Sequence, residues 1–166
     1  PKLSFPRFAY YFYLTFKIIE AMDSLDQYLR ANIGFEVQEG TFERLHKEFL
    51  AEVPNIEGFR DLDKLFKKYT ELFRQVEVKK PKNPLRVGIV GELYSLMEPF
   101  SSCFIEKELA KKGIEVSRFI TVSYLLRHHP KSRELLAMAG KYLKYEIGAD
   151  GTDSVARGRM LAEEGY

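Results

Sequence analysis

The chain has 166 residues, 45% of them hydrophobic and 30% charged, a balance that builds a core and a solvated surface and excludes intrinsic disorder. Its 26 basic residues are nearly matched by 24 acidic ones, and the net charge of +2 points to neither nucleic acid nor an anionic membrane. A single cysteine, Cys103, excludes an internal disulfide and any cluster or metal held by several cysteines of this chain alone.

No apolar run approaches the roughly 18 residues of a membrane span, and the start lacks a signal peptide's basic region followed by a uniform apolar stretch. A soluble, cytoplasmic setting is therefore expected. Residues 1–78 read as a helical segment. From Phe8 to Leu29, the residues Phe8, Tyr11, Phe12, Ile18, Ile19, Met22, Leu25 and Leu29 recur near helical spacing, with Gly34 as the stop. A second helix is expected from Thr41 to Val53, with Phe42, Leu45, Phe49, Leu50 and Val53 on one face and Pro54 closing it. Leu62 to Val76 is the third, its apolar residues following helical spacing without a break.

Residues 79–84, with three lysines and two prolines, read as a solvated linker. After it, 85–166 reads as a partial α/β sub-domain. Leu85 to Val90 is apolar and β-branched, as a buried parallel strand requires. A helix is expected from Glu98 to Lys112 with Gly113 as its stop, and a second strand from Ile114 to Val122. Strand, helix and strand at this length make a Rossmann-like βαβ unit. Ser123 caps a short helix through Leu126, and Lys131 to Tyr145 forms another. Thr152 to Glu164 reads as a crossover helix, ending at Gly165-Tyr166 where a third strand is due. With Pro1 in place of an initiator methionine, the chain reads as a fragment truncated before its next strand.

Ligands of open parallel sheets bind outside the carboxyl ends of the strands. The turn from Val90 to Pro99 has that place. Gly91 permits a turn or a close ligand, and Glu92, Tyr94, Ser95 and Glu98 supply oxygens; the same residues serve equally as turn, cap and packing. The glycine spacing is neither a dinucleotide nor a Walker fingerprint. The second candidate runs from Gly148 through Asp150, Gly151, Thr152 and Ser154 to Gly158. Its glycines and small oxygen-bearing side chains suit either an anion at a helix N-terminus or ordinary N-capping. Gly158 inside a helix fits close packing or close ligand approach. Adjacent His128 and His129 point in different directions on a helix and read as a surface helix end. His46 reads as a lone surface residue, Cys103 as a small buried hydrophobe, and Glu106 and Glu108 as carboxylates on different faces.

The peptides Pro84-Leu85-Arg86-Val87-Gly88-Ile89-Val90-Gly91-Glu92-Leu93-Tyr94, Glu98-Pro99-Phe100, Ile105-Glu106-Lys107-Glu108-Leu109 and Tyr145-Glu146-Ile147-Gly148-Ala149-Asp150-Gly151-Thr152-Asp153-Ser154-Val155 occur in that order. Together they resemble the 2-hydroxyacyl-CoA dehydratase component family, in the branch related to acyl-CoA dehydratase activases. The resemblance covers residues 84–166 and extends more loosely to the aromatic helix near Phe8. It implies a parallel α/β fold and a lyase system in which a [4Fe-4S] cluster, reduced by a separate activator ATPase, serves dehydration of 2-hydroxyacyl-CoA. It implies no cofactor in this fragment and a cluster in the full-length protein. Gly91, Glu92, Tyr94, Gly148, Asp150, Gly151 and Ser154 are then expected to face the cluster or acyl-CoA. The expected partners are the activator or a sister subunit. Family members do not require a cysteine at position 103, so the resemblance gives Cys103 no ligand role. The other class consistent with the residues is a non-catalytic module whose aromatic helices dock on the activator or sister subunit.

Overall fold

The computed structural model describes residues 4–118, 120–126, 133–148 and 150–166. His128, His129, Pro130 and Lys131 lie outside them, as do Phe119 and Ala149. Two compact units divide the chain: residues up to Leu29 with Glu36–Lys79, and Arg30–Phe35 with Lys80–Tyr166.

The first unit is helical. Helix α1 spans Phe5–Asn32, α2 Thr41–Glu52 and α3 Phe59–Gln75, with a 3₁₀ turn at Val53–Asn55 between the last two. Pro54 lies in that turn, where its missing N–H ends α2 without leaving a helical bond unmade. The core is Leu25, Phe42, Leu45, Phe49, Leu65, Tyr69 and Phe73. Phe42 meets Phe73 edge-on at 5.7 Å, and Phe49 meets Tyr69 at 5.3 Å, the offset geometry that ring quadrupoles favour. Each such side chain contributes about 2 kcal/mol through burial alone. A smaller cluster of Leu14, Ala21 and Leu62 sits beside it. The expected stripe on α1 is buried only from Leu14 onward; Phe8, Tyr11 and Phe12 are exposed. Leu50, expected on the inner face of α2, is likewise exposed.

His46 does not stand alone, because its Nε2 lies 2.7 Å from Asp26 Oδ1, joining α2 to α1. Tyr69, buried at the α3 side, donates its hydroxyl to Glu52 Oε1 at 2.6 Å. An antiparallel bridge between Glu36 and Val78 closes the unit.

The second unit combines helices with a small sheet. Strand β1 (Arg86–Ile89) pairs in parallel with β2 (Glu115–Arg118), Arg86 opposite Glu115 and Ile89 opposite Arg118. Both are shorter than their apolar runs suggested, and among the described residues no third strand joins them. Of the single helix expected from Glu98 to Lys112 only α5 (Ile105–Ala110) forms, and the preceding turn carries a short helix of its own, α4 (Leu93–Met97). The break is at Cys103 and Phe104, whose φ angles of 53° and 55° are left-handed and cannot continue an α-helix. Cys103 is therefore an exposed turn residue, not a buried small hydrophobe. Helix α6 covers Val122–Leu126, α7 Arg133–Ala139 and α8 Gly151–Glu163. The N-terminus of α6 is held by Thr121, whose Oγ1 accepts from Tyr124 N at 3.2 Å; Ser123 was the expected cap.

Two details set the spacing in this unit. A Cβ on Gly88 would lie 2.5 Å from Leu161 Cδ1, so the Leu161 side chain on α8 fills the space beside β1 that a larger residue at 88 would need. A Cβ on Gly34, where φ is +83°, would lie 1.8 Å from the carbonyl oxygen of Ala110. Lys80 is not the solvated linker residue expected. It donates to the Ala31 carbonyl at 2.8 Å, pairs with Glu115 at 2.5 Å and lies over the Phe35 ring.

Candidate functional site

The site is built at the end of β1. Chain leaving Ile89 passes through Val90 and Gly91 to Glu92, which caps α4 by accepting from Ser95 N at 2.9 Å and Ser95 Oγ at 3.2 Å. Backbone N–H groups of Tyr94 and Ser95 hold the Glu92 carboxyl below its usual value, the Ser95 hydroxyl adding to them. A carboxylate so held is an anion at neutral pH and no proton donor, since a general acid needs a raised pKa.

The second turn meets the first through α8. Asp150 Oδ2 accepts from Leu93 N at 3.3 Å, and Ser154 Oγ donates to the Gly91 carbonyl at 3.3 Å. Asp150 thus caps α4's approach and makes no side-chain bond to the helix it precedes. Thr152 is the local lock: its buried Oγ1 accepts from Ile147 N and donates to Ile147 O, both at 2.9 Å. Gly151 follows from that lock, because a Cβ there would come within 2.6 Å of Ile147 Cγ2. Gly158 rests against Val90 at an ordinary packing distance, 3.8 Å from an added Cβ.

Of the expected residues, Gly91, Asp150 and Ser154 are therefore joined directly, and Glu92 and Gly151 adjoin them in the two turns. Tyr94 is exposed on α4. Gly148 is exposed, and an added Cβ there would meet nothing within 4 Å. The polar side chains that pull the turns together are themselves satisfied by backbone. Glu92, Tyr94 and Gly148 are exposed among the expected residues that the structure describes.

Sequence reasoning passed over the arginines. Arg157 is buried, donates from Nε to Asp153 Oδ2 at 2.6 Å, and lies over the Tyr124 ring at 4.6 Å while also bonding its hydroxyl. It ties α8 to α6 just after β2. The spacing of Asp153 and Arg157, four apart on a helix, is the local signal for half of that arrangement. Arg118, at the end of β2, donates to the Leu96 carbonyl on α4 and lies 3.4 Å from Glu106 Oε1. Glu106 also accepts from Arg30 Nε at 3.1 Å, so one carboxylate serves two largely buried guanidinium groups. No sequence spacing reveals that cluster, because Arg30 and Glu106 are 76 residues apart.

A [4Fe-4S] cluster takes four cysteine thiolates, and this chain has one cysteine. The donor set does not fit the group. Among the described residues no three His, Cys, Asp or Glu side chains gather as a metal site, and no described helix is long and apolar enough to cross a membrane. Comparison with known proteins found no matching family model, no similar curated protein and no similar solved structure.

Proposed function

We propose that this chain is an α/β component of a 2-hydroxyacyl-CoA dehydratase-like iron–sulfur system, Rossmann-like in topology. Its paired turns face the acyl-CoA, and the cluster thiolates come from other residues than these 166. The observation that supports this reading is the joining of the turns, through Asp150 to Leu93 N and Ser154 to the Gly91 carbonyl. Their meeting point lies beyond the carboxyl end of β1, where α/β sheets bind ligands. Exposed Glu92 and Tyr94 would contact the ligand, and Gly148, Gly151, Asp150 and Ser154 would shape its boundary. The proposed setting is cytoplasmic and the proposed partner an activator ATPase or sister subunit.

The test is a titration of the isotopically labelled chain with a 2-hydroxyacyl-CoA, followed by amide shifts. The expected result is saturable movement of Gly91, Glu92, Tyr94, Gly148 and Gly151, reduced in Glu92→Gln. Absence of movement at both turns would overturn the reading, and so would stoichiometric iron retained by this chain alone after anaerobic purification.

The start of α1 favours a second reading, a module that docks on the activator or sister subunit. Phe5 is 79% exposed, Phe12 64% and Tyr13 55%, a run of exposed rings over the first turns of the helix that suits a docking face. Co-purification with an activator that is lost in a Phe8→Ser, Phe12→Ser double variant, with the turns unresponsive to acyl-CoA, would support it over the first.

A further inference from the structure

A groove of about 370 Å³ lies in the first unit between α1 and α3. Its floor is apolar, formed by buried Ala21 and Leu62, and its walls are the rings of Tyr13, Phe59 and Phe66. Its volume lies in the range that small organic ligands occupy, and its lining is aromatic.

The charges on this groove do not cancel. Lys17 and Glu20 neutralise one another at 2.8 Å. Asp63, the third charged residue lining the groove, has no hydrogen bond or ion pair among the described residues. It stands four residues after Phe59 and three before Phe66, spacing that sets a carboxylate beside two rings on one helix face. The groove also holds one ammonium of its own: Lys17 Nζ lies 5.6 Å from the Tyr13 ring centroid. Aromatic faces attract cations and repel anions through the ring quadrupole.

We propose that this groove binds a small organic cation, an ammonium carried on an aromatic or branched apolar body. The ammonium pairs with Asp63, and the body lies on Leu62 between Phe59 and Phe66. The proposal is independent of the acyl-CoA reading, which concerns the other unit.

Titration of the whole labelled chain with 2-phenylethylammonium, and separately with phenylacetate at the same ionic strength, tests it. Both probes carry the same ring with opposite charge. The expected result is saturable shifts at the groove residues with the ammonium, and binding at least about tenfold weaker with the carboxylate. Asp63→Asn, at an exposed position that does not threaten folding, is expected to weaken the ammonium about two- to fivefold, and Phe59→Leu to weaken it too. Equal binding of the two probes, insensitivity to Asp63→Asn, or no saturation would overturn the proposal. Shifts that follow protein concentration instead of probe would assign the groove to a second copy of the chain and overturn it equally.

Discussion

Gly88 and Leu161 meet so closely that the side chain of Leu161 occupies the space a Cβ on Gly88 would need, Cδ1 at 2.5 Å and Cγ at 3.0 Å. Leu161 is itself buried, so it cannot swing away into solvent. The contact fixes how near α8 comes to β1, and through α8 it fixes where the second turn reaches the first.

Gly88→Ala is therefore expected to destabilise the chain by about 1–3 kcal/mol, the cost of overpacking a filled contact. Gly148→Ala, where the added atom meets nothing, is the matched control and should be nearly neutral. Thermal melts of the two variants check this; equal losses would show that the α8 contact yields freely.

Asp150→Ala removes the acceptor from Leu93 N and is expected to cost about 1 kcal/mol. The loss should be local. Hydrogen exchange of the Leu93 amide should accelerate while exchange in α3 stays unchanged.

Glu92 gives a pH dependence whose sign follows from its cap. Its carboxyl is held below the usual carboxylate value, so its contribution is fully present above the unfolded value of about 4.3 and is lost as pH falls through the lowered folded value. The Ser95 amide shift should report that loss below about pH 4.3 in the wild type. In Glu92→Gln the same amide should be flat across that window.

Tyr69 works in the opposite direction. Burial first, and then the Glu52 carboxylate, raise its hydroxyl well above the ordinary phenol value. Stability from this residue is full below the unfolded value of about 10 and is lost only as pH rises through the raised folded value. Tyr69→Phe should cost about 1 kcal/mol at neutral pH through the lost bond to Glu52. Alkaline titration followed by tyrosine absorbance should show one phenol fewer ionising at the extreme end in the variant.

The helices of the first unit were legible because burial imposes a period on sequence, and Phe42, Leu45, Phe49, Leu65, Tyr69 and Phe73 carry that period plainly. The parallel pairing was legible for a similar reason: short β-branched runs separated by a helix have few other solutions. Periodicity could not show that the aromatic start of α1 is uncovered, since the pattern marks a face suited to burial and not what buries it. The break at Cys103 and Phe104 was invisible because neither residue is one that usually takes a left-handed conformation. The two turns were found from their glycines and oxygens, yet the reason they meet, one carboxylate on one amide and one hydroxyl on one carbonyl, lies between segments about sixty residues apart. The arginine pair on Glu106 was missed on the same ground.

Arg30–Phe35 belongs with Lys80–Tyr166, although it precedes most of the first unit along the chain. The two units are therefore interleaved as genes are cut, and no single excision separates them. An expression product beginning at residue 80 would take Arg30 from Glu106, the Ala31 carbonyl and Phe35 ring from Lys80, and the Gly34 backbone from Ala110. Minimal versions of the α/β part have to carry residues 30–35 with them, by circular permutation or as a tethered peptide.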